Sequence, residues 1–123
     1  MTTQTLYERV GGDPFFVALV DRFYAGVAAD PLLRPMYPED LTDAREHLAM
    51  FLAQYWGGPR TYSDTRGHPR LRMRHARFVV DDAARDAWLG HMAVALDAAG
   101  LDQDVRDELD GYFEMAASQL RNT

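Results

Sequence analysis

Apolar side chains recur along this chain at intervals of three and four residues, broken by Gly, Pro and Asp, a pattern that predicts helices throughout. Leu6, Tyr7 and Val10 suggest a helical turn or two, stopped by Gly11-Gly12. Asp13-Pro14 then reads as a helix start, with Asp as N-cap and Pro in the first helical position. Phe16, Leu19, Val20, Phe23, Tyr24 and Val27 follow on one face, up to about Ala29. Asp30-Pro31 repeats the start signal. Pro31, Pro35 and Pro38 allow only short helical pieces around Leu32, Leu33, Met36 and Tyr37. The next helix is predicted from about Leu41 to Tyr55, with Leu41, Ala44, Leu48, Phe51, Leu52 and Tyr55 as its inner face. Trp56-Gly57-Gly58-Pro59 ends it and opens a loop running to Gly67.

His68 precedes Pro69 and is biased away from helical geometry, so a further helix is predicted from about Pro69. Leu71, His75, Phe78 and Val79 share its apolar stripe, while Arg70, Arg74 and Arg77 project away. Asp81-Asp82 can cap a helix carrying Trp88, Leu89, Met92, Leu96 and Ala99 inward, ended by Gly100. Asp102 can cap a last one with Val105, Leu109, Tyr112, Phe113, Ala116 and Leu120. No alternating strand pattern, internal repeat or low-complexity tract is visible. The expected class is all-α, one domain over residues 1–123, with about four main helices and several short ones.

Composition narrows the chemistry. The 123 residues suffice for one domain with its own core, and 47% are hydrophobic, as in a folded globule. Without cysteine, the chain has no disulfide, zinc-thiolate site, iron–sulfur cluster or thiol nucleophile. The N-terminal Met1-Thr2-Thr3-Gln4-Thr5 has no basic region followed by an apolar run, and no segment approaches about 18 apolar residues. A cytosolic location without a membrane span is expected. The net charge of −6 opposes nucleic-acid binding. All thirteen basic residues are Arg, and the six from Arg60 to Arg77 form a positive island. In an acidic protein such an island suits a small bound anion, or a surface network paired with nearby carboxylates.

His75 admits two readings on spacing alone. It can be a core histidine bonded to a carbonyl, with the arginines as a solvated face. It can also ligate a group that is apolar in the middle and anionic at the rim, such as a haem. Tyr24 carries a hydroxyl inward, where it needs a partner, a backbone carbonyl being the plain choice. Ala44 thins its helix face one turn before Leu48, for close packing or for a ligand. His47 and His91 lie at the margins of their stripes, where boundary roles are expected. Nucleotide-binding glycine loops, H-E-x-x-H and paired Glu-x-x-His motifs are absent. No flavin or nicotinamide pattern is visible, so any redox turnover draws its electrons from elsewhere.

A set of short motifs, in order, adds a resemblance. These are Gly11-Gly12, Phe23-Tyr24, Tyr37-Pro38-Glu39-Asp40, Phe51 through Pro59, Tyr62, Arg66 through His75, and Trp88 in Asp86-Ala87-Trp88-Leu89. Over nearly its whole length the chain resembles the group II (O-type) truncated haemoglobins of bacteria and plants. The resemblance implies a two-over-two helical sandwich around haem b, with His75 as the proximal iron ligand. It aligns Ala44 with the position where many globins place a distal histidine, and Leu48 with the apolar distal residue one turn later. It aligns Tyr24, Tyr37 and Trp88 with a polar distal cluster. Phe51, Leu52 and Phe78 are expected cofactor contacts, Arg74 a propionate contact, and Tyr62 to Arg66 a loop-ordering stretch. The function it implies is binding of O2, CO or NO at a five-coordinate iron. Three donors would favour retention over transport, and peroxidase-like or NO-oxidising turnover would need an external reductase. No catalytic residue is assigned. The rival reading is a haem-free helical module that uses the Arg60–Arg77 island to bind an acidic partner.

Overall fold

Phe16, Leu19, Val20, Phe23, Tyr24 and Val27 are all buried along helix α2 (Asp13–Ala28), as their spacing predicts. The computed structural model describes residues 4–60, 62, 64 and 81–120, and among these every regular element is helical. Burying side chains of this size contributes roughly 1.5–3 kcal/mol each, so α2 is the natural centre of the core. It packs against α3 (Thr42–Tyr55) and against α4 (Asp82–Asp97), and α4 packs against α5 (Gln103–Leu120).

A one-turn helix α1 (Leu6–Arg9) precedes α2. Thr5 and Glu8 close a reciprocal cap: the Glu8 amide donates to the Thr5 hydroxyl at 3.1 Å, and the Thr5 amide donates to the Glu8 carboxylate at 3.2 Å. The helix start expected at Asp13 is displaced by one residue. Gly12 occupies the cap position with φ +84°, and Asp13 and Pro14 are the first two helical residues. Gly11, at φ +98°, and Gly12 swing the chain so sharply that the helix begins without a side-chain cap. The Asp13 carboxylate still favours the positive end of α2.

In α3 the buried face is not the expected one. Ala49, Leu52, Ala53 and the following Trp56 are buried, whereas Tyr55 is 53% exposed. Ala44, Leu48 and Phe51 are half-buried at the margin of the core. The large side chains suggest a stripe about one residue away from the real one. Two alanines, inconspicuous in an apolar pattern, take two of these four buried positions.

Asp81 caps α4 by accepting from the Ala84 amide at 2.9 Å. Asp102 accepts the first turn of α5 through its carbonyl, from the Arg106 amide at 2.9 Å. In α4, Ala84, Met92, Ala95 and Leu96 are buried, and Trp88, Leu89 and Ala99 are only half-buried. Val105, Leu109, Phe113 and Ala117 form the inner face of α5, with Tyr112 and Ala116 half-buried.

The α2–α4 contact has a tight point at Gly26. A Cβ there would stand 2.5 Å from the Nδ1 of His91, whose Nε2 lies 2.7 Å from an Asp30 carboxylate oxygen. His91 is thus a boundary residue with a partner on the far side of the contact. The histidine first, then the Leu32 amide, hold the Asp30 carboxyl below its ordinary range. Gly26→Ala should therefore push the imidazole off its partner. The expected loss is about 1–3 kcal/mol, the usual range for overpacking, read by thermal unfolding. An unchanged midpoint would mean that the ring moves aside freely.

Candidate functional site

Three side chains from three elements meet at one end of the core. Tyr24 lies one turn before the end of α2, beside Phe23. Tyr37 follows the short 3-10 turn Arg34–Met36, and Trp88 comes from the second turn of α4. The rings of Tyr24 and Tyr37 stand edge to face, with centroids 5.5 Å apart and an interplanar angle of 89°. Phe23 contacts both Tyr24 and Trp88, each at 5.0 Å. Tyr24 is buried; Tyr37 and Trp88 are half-buried.

The turn that delivers Tyr37 is fixed by polar groups. Asp30 accepts from the Leu32 amide at 2.8 Å and closes the corner after α2. The Arg34 guanidinium then gathers three backbone carbonyls, those of Tyr37 at 3.3 Å, Pro38 at 2.8 Å and Glu39 at 2.6 Å. A planar five-donor group is suited to such a clamp. The Asp30–His91 contact adds a tie to α4, one turn beyond Trp88. Arg34 carries no motif of its own and sequence reasoning overlooked it, while Asp30 is legible as a start signal but not as the partner of His91. The dense prolines around them were the available signal, since so irregular a segment must find partners for its carbonyls.

Electrostatics keep the phenols protonated. Burial, and then the neighbouring Tyr37, hold the Tyr24 hydroxyl well above its ordinary value. Burial likewise pushes Tyr37 up to about 12, although the neighbouring Trp88 indole N–H, a donor only, pulls the other way. Near neutral pH both phenols are O–H donors.

Ala44, Leu48 and Phe51 of α3 form a half-buried apolar row beside the core, and Phe51 packs on the buried Tyr62 at 5.4 Å. Leu52, expected among the cofactor contacts, is fully buried within the core cluster. His75, Arg74 and Phe78 lie outside the described residues, as does the positive island except for the exposed Arg60. Among the described residues no group of three or more His, Asp or Glu side chains could hold a metal ion by itself. Apolar walls with a few protonated donors suit a flat, largely apolar prosthetic group and a small ligand that carries partial negative charge. The described residues therefore fit a haem.

Comparison with known proteins gives the same picture. Residues 5–122 match the family described as bacterial-like globin. The chain is 42% identical over 116 residues to the group 2 truncated haemoglobin YjbI of Bacillus subtilis, covering 94% of this chain and 87% of that protein. It superposes on the thermostable haemoglobin of the actinobacterium Thermobifida fusca with a TM-score of 0.94 and 53% identity, over 98% of each chain. With the truncated oxygen-avid haemoglobin of Bacillus subtilis the TM-score is 0.90 at 41% identity, over 97% of this chain and 100% of that one.

Proposed function

The chain belongs to the bacterial-like globin family, and from that premise we propose a protein that holds O2 through Tyr24, Tyr37 and Trp88. Family membership carries the coarser statements: a truncated globin fold, haem b as cofactor, and O2 and other diatomics as ligands. It lends no support to a haem-free module built on the Arg60–Arg77 island. The finer reading makes residues 1–123 one globin domain, with His75 as the iron ligand. Arg74 would meet a propionate, Phe78 and Phe51 would pack around the macrocycle with Leu52 backing that wall from the core, and Ala44 and Leu48 would form the apolar part of the ligand side. No described helix is long and apolar enough to cross a membrane, and a cytoplasmic location belongs to the proposal.

Held by His75, a haem would supply the iron at which a diatomic ligand binds. The protein's own part is to present donors to a ligand that gathers negative charge. Trp88 stands beside Tyr37 and can only donate, so we assign the phenol's own hydrogen to the ligand. Trp88 then acts through Tyr37 as well as by its bulk. Tyr24, edge-on to Tyr37, is the second O–H donor. Each hydrogen bond contributes about 0.5–1.5 kcal/mol, and neighbours are seldom additive. This convergence of three protonated donors is the observation that carries the reading. A relative described as oxygen-avid is consistent with it. Retention suits a protein that keeps O2 for reaction, so NO-oxidising or peroxidase-like turnover, supplied by an external reductase, is the extension.

Absorption spectroscopy of the purified, haem-loaded chain is the first test. A Soret band should appear, with a five-coordinate ferrous spectrum that converts cleanly on adding O2 or CO. A chain that takes up no haem, or a ferrous form already closed by a second protein ligand, would contradict the proposal.

A further inference from the structure

One imidazole touches all three elements that carry the ligand donors. His91 follows Trp88 by three residues on α4, one turn along the helix. Its ring lies over Gly26 of α2, two residues after Tyr24, where an added Cβ would stand 2.5 Å from Nδ1. Its Nε2 is 2.7 Å from one carboxylate oxygen of Asp30, at the start of the corner that leads to Tyr37. An ionised carboxylate only accepts, so Nε2 carries the hydrogen and donates. The other Asp30 oxygen takes the Leu32 amide, and the Asp30 carbonyl takes the Arg34 amide at 2.9 Å. Arg34 in turn gathers the carbonyls of Tyr37, Pro38 and Glu39. A continuous chain of polar contacts therefore runs from the imidazole to the backbone of Tyr37.

Stability explains part of this arrangement but not where it ends. Tyr37 belongs to no helix: it leaves the 3-10 turn in extended geometry, with φ −123° and ψ 156°. No helical ladder sets the direction of its side chain, so the contacts that hold the corner must set it. A hydrogen bond weakens steeply when its donor is misaligned. A small swing of this corner would thus deprive a bound ligand of a donor while leaving the apolar core closed. Position 91 is also not filled for bulk. A polar ring with a carboxylate partner occupies it, and the space for that ring is left by a glycine inside α2, a residue that weakens a helix relative to Ala.

We propose that His91 is a positioning residue for ligand retention: seated on Gly26 and bonded to Asp30, it locks the Tyr37 corner against α2 and α4, so that the Tyr37 hydroxyl stays aimed at a bound diatomic that gathers negative charge. The proposal rests on the ligand-holding reading of Tyr24, Tyr37 and Trp88 and deepens it. His91 acts through Tyr37 and makes no contact with the ligand. Arg34 is the second link, carrying the constraint from the start of the corner to the Tyr37 carbonyl. Because only the aim of a donor is at stake, O2 should respond to the loss of His91 and the less polarised CO should not.

His91→Leu keeps an apolar side chain over Gly26 and removes the donor. In the haem-loaded chain it should speed O2 release roughly twofold to tenfold, the effect of one hydrogen bond, with CO release nearly unchanged. The infrared C–O stretch of bound CO should move to higher frequency, the signature of a donor turned away. In a Tyr37→Phe background the same substitution should add nothing. His91→Gln, whose amide can donate to Asp30, should recover most of the wild-type behaviour. A lower unfolding temperature with O2 release and the C–O stretch both unchanged would overturn the proposal and leave His91 a packing residue. Undiminished acceleration in the Tyr37→Phe background would overturn it too. If His91→Leu folds poorly, Arg34→Lys repeats the test at the second link, keeping the charge but losing the planar fork. It should show the same two shifts, and their absence counts against the proposal equally. Tyr37→Phe alone separates the two readings. If it releases O2 as the wild type does, the ligand-holding reading fails and the proposal with it; if it releases O2 faster while His91→Leu is silent, the proposal alone fails.

Discussion

His75→Ala should abolish stable haem binding. The helix predicted from Pro69 carries a single inward histidine, and iron in this family needs an axial nitrogen from the protein. The other histidines are poor substitutes. His91 is engaged with Asp30 across the α2–α4 contact, and His47 lies at the margin of α3. Purified variant protein should therefore show at most a weak, non-native Soret band, and added imidazole should partly restore the ferrous spectrum. Full haem content with an unchanged spectrum would remove His75 from the iron and make His68 the next candidate.

Trp88→Phe should speed O2 release by roughly tenfold or more, equivalent to about 1.4 kcal/mol. Phenylalanine keeps most of the packing against Phe23 and Phe113 and deletes the N–H that stands beside Tyr37. CO is far less polarised, so its release should change much less. The neighbouring Tyr37 adds a sharper expectation. If Trp88 acts by orienting Tyr37, the double variant Trp88→Phe/Tyr37→Phe releases O2 little faster than Tyr37→Phe alone. Full additivity would instead make Trp88 an independent donor. Equal acceleration of O2 and CO would mark its role as steric.

The helices differ in how legible they are from residues alone. The α2 stripe is complete in the sequence because six large side chains keep one face. The α3 face is only partly legible because the buried Ala49 and Ala53 look like neutral spacers, and the exposed Tyr55 looks like core. Asp81 caps as its type predicts, while two positive-φ glycines take over the role expected of Asp13. The site is a harder case. Tyr24, Tyr37 and Trp88 lie on separate elements, and no periodicity joins them. Their grouping came from the family resemblance, and the fold brings the three rings together. The clamp of Arg34 and the pairing of Asp30 with His91, 61 residues away, belong to tertiary structure and leave no local trace. His75, Arg74 and Phe78 rest on the resemblance alone.

Stopped-flow measurement of O2 release from the ferrous protein tests the central claim most directly, with the triple variant Tyr24→Phe/Tyr37→Phe/Trp88→Phe alongside. All three substitutions keep a ring and remove a donor. Two or three hydrogen bonds of about 1 kcal/mol each predict a variant that releases O2 faster by one to two orders of magnitude. Its CO release should stay close to that of the wild type. Equal O2 release from both proteins would contradict the account, because the three donors would then contribute nothing to holding the ligand.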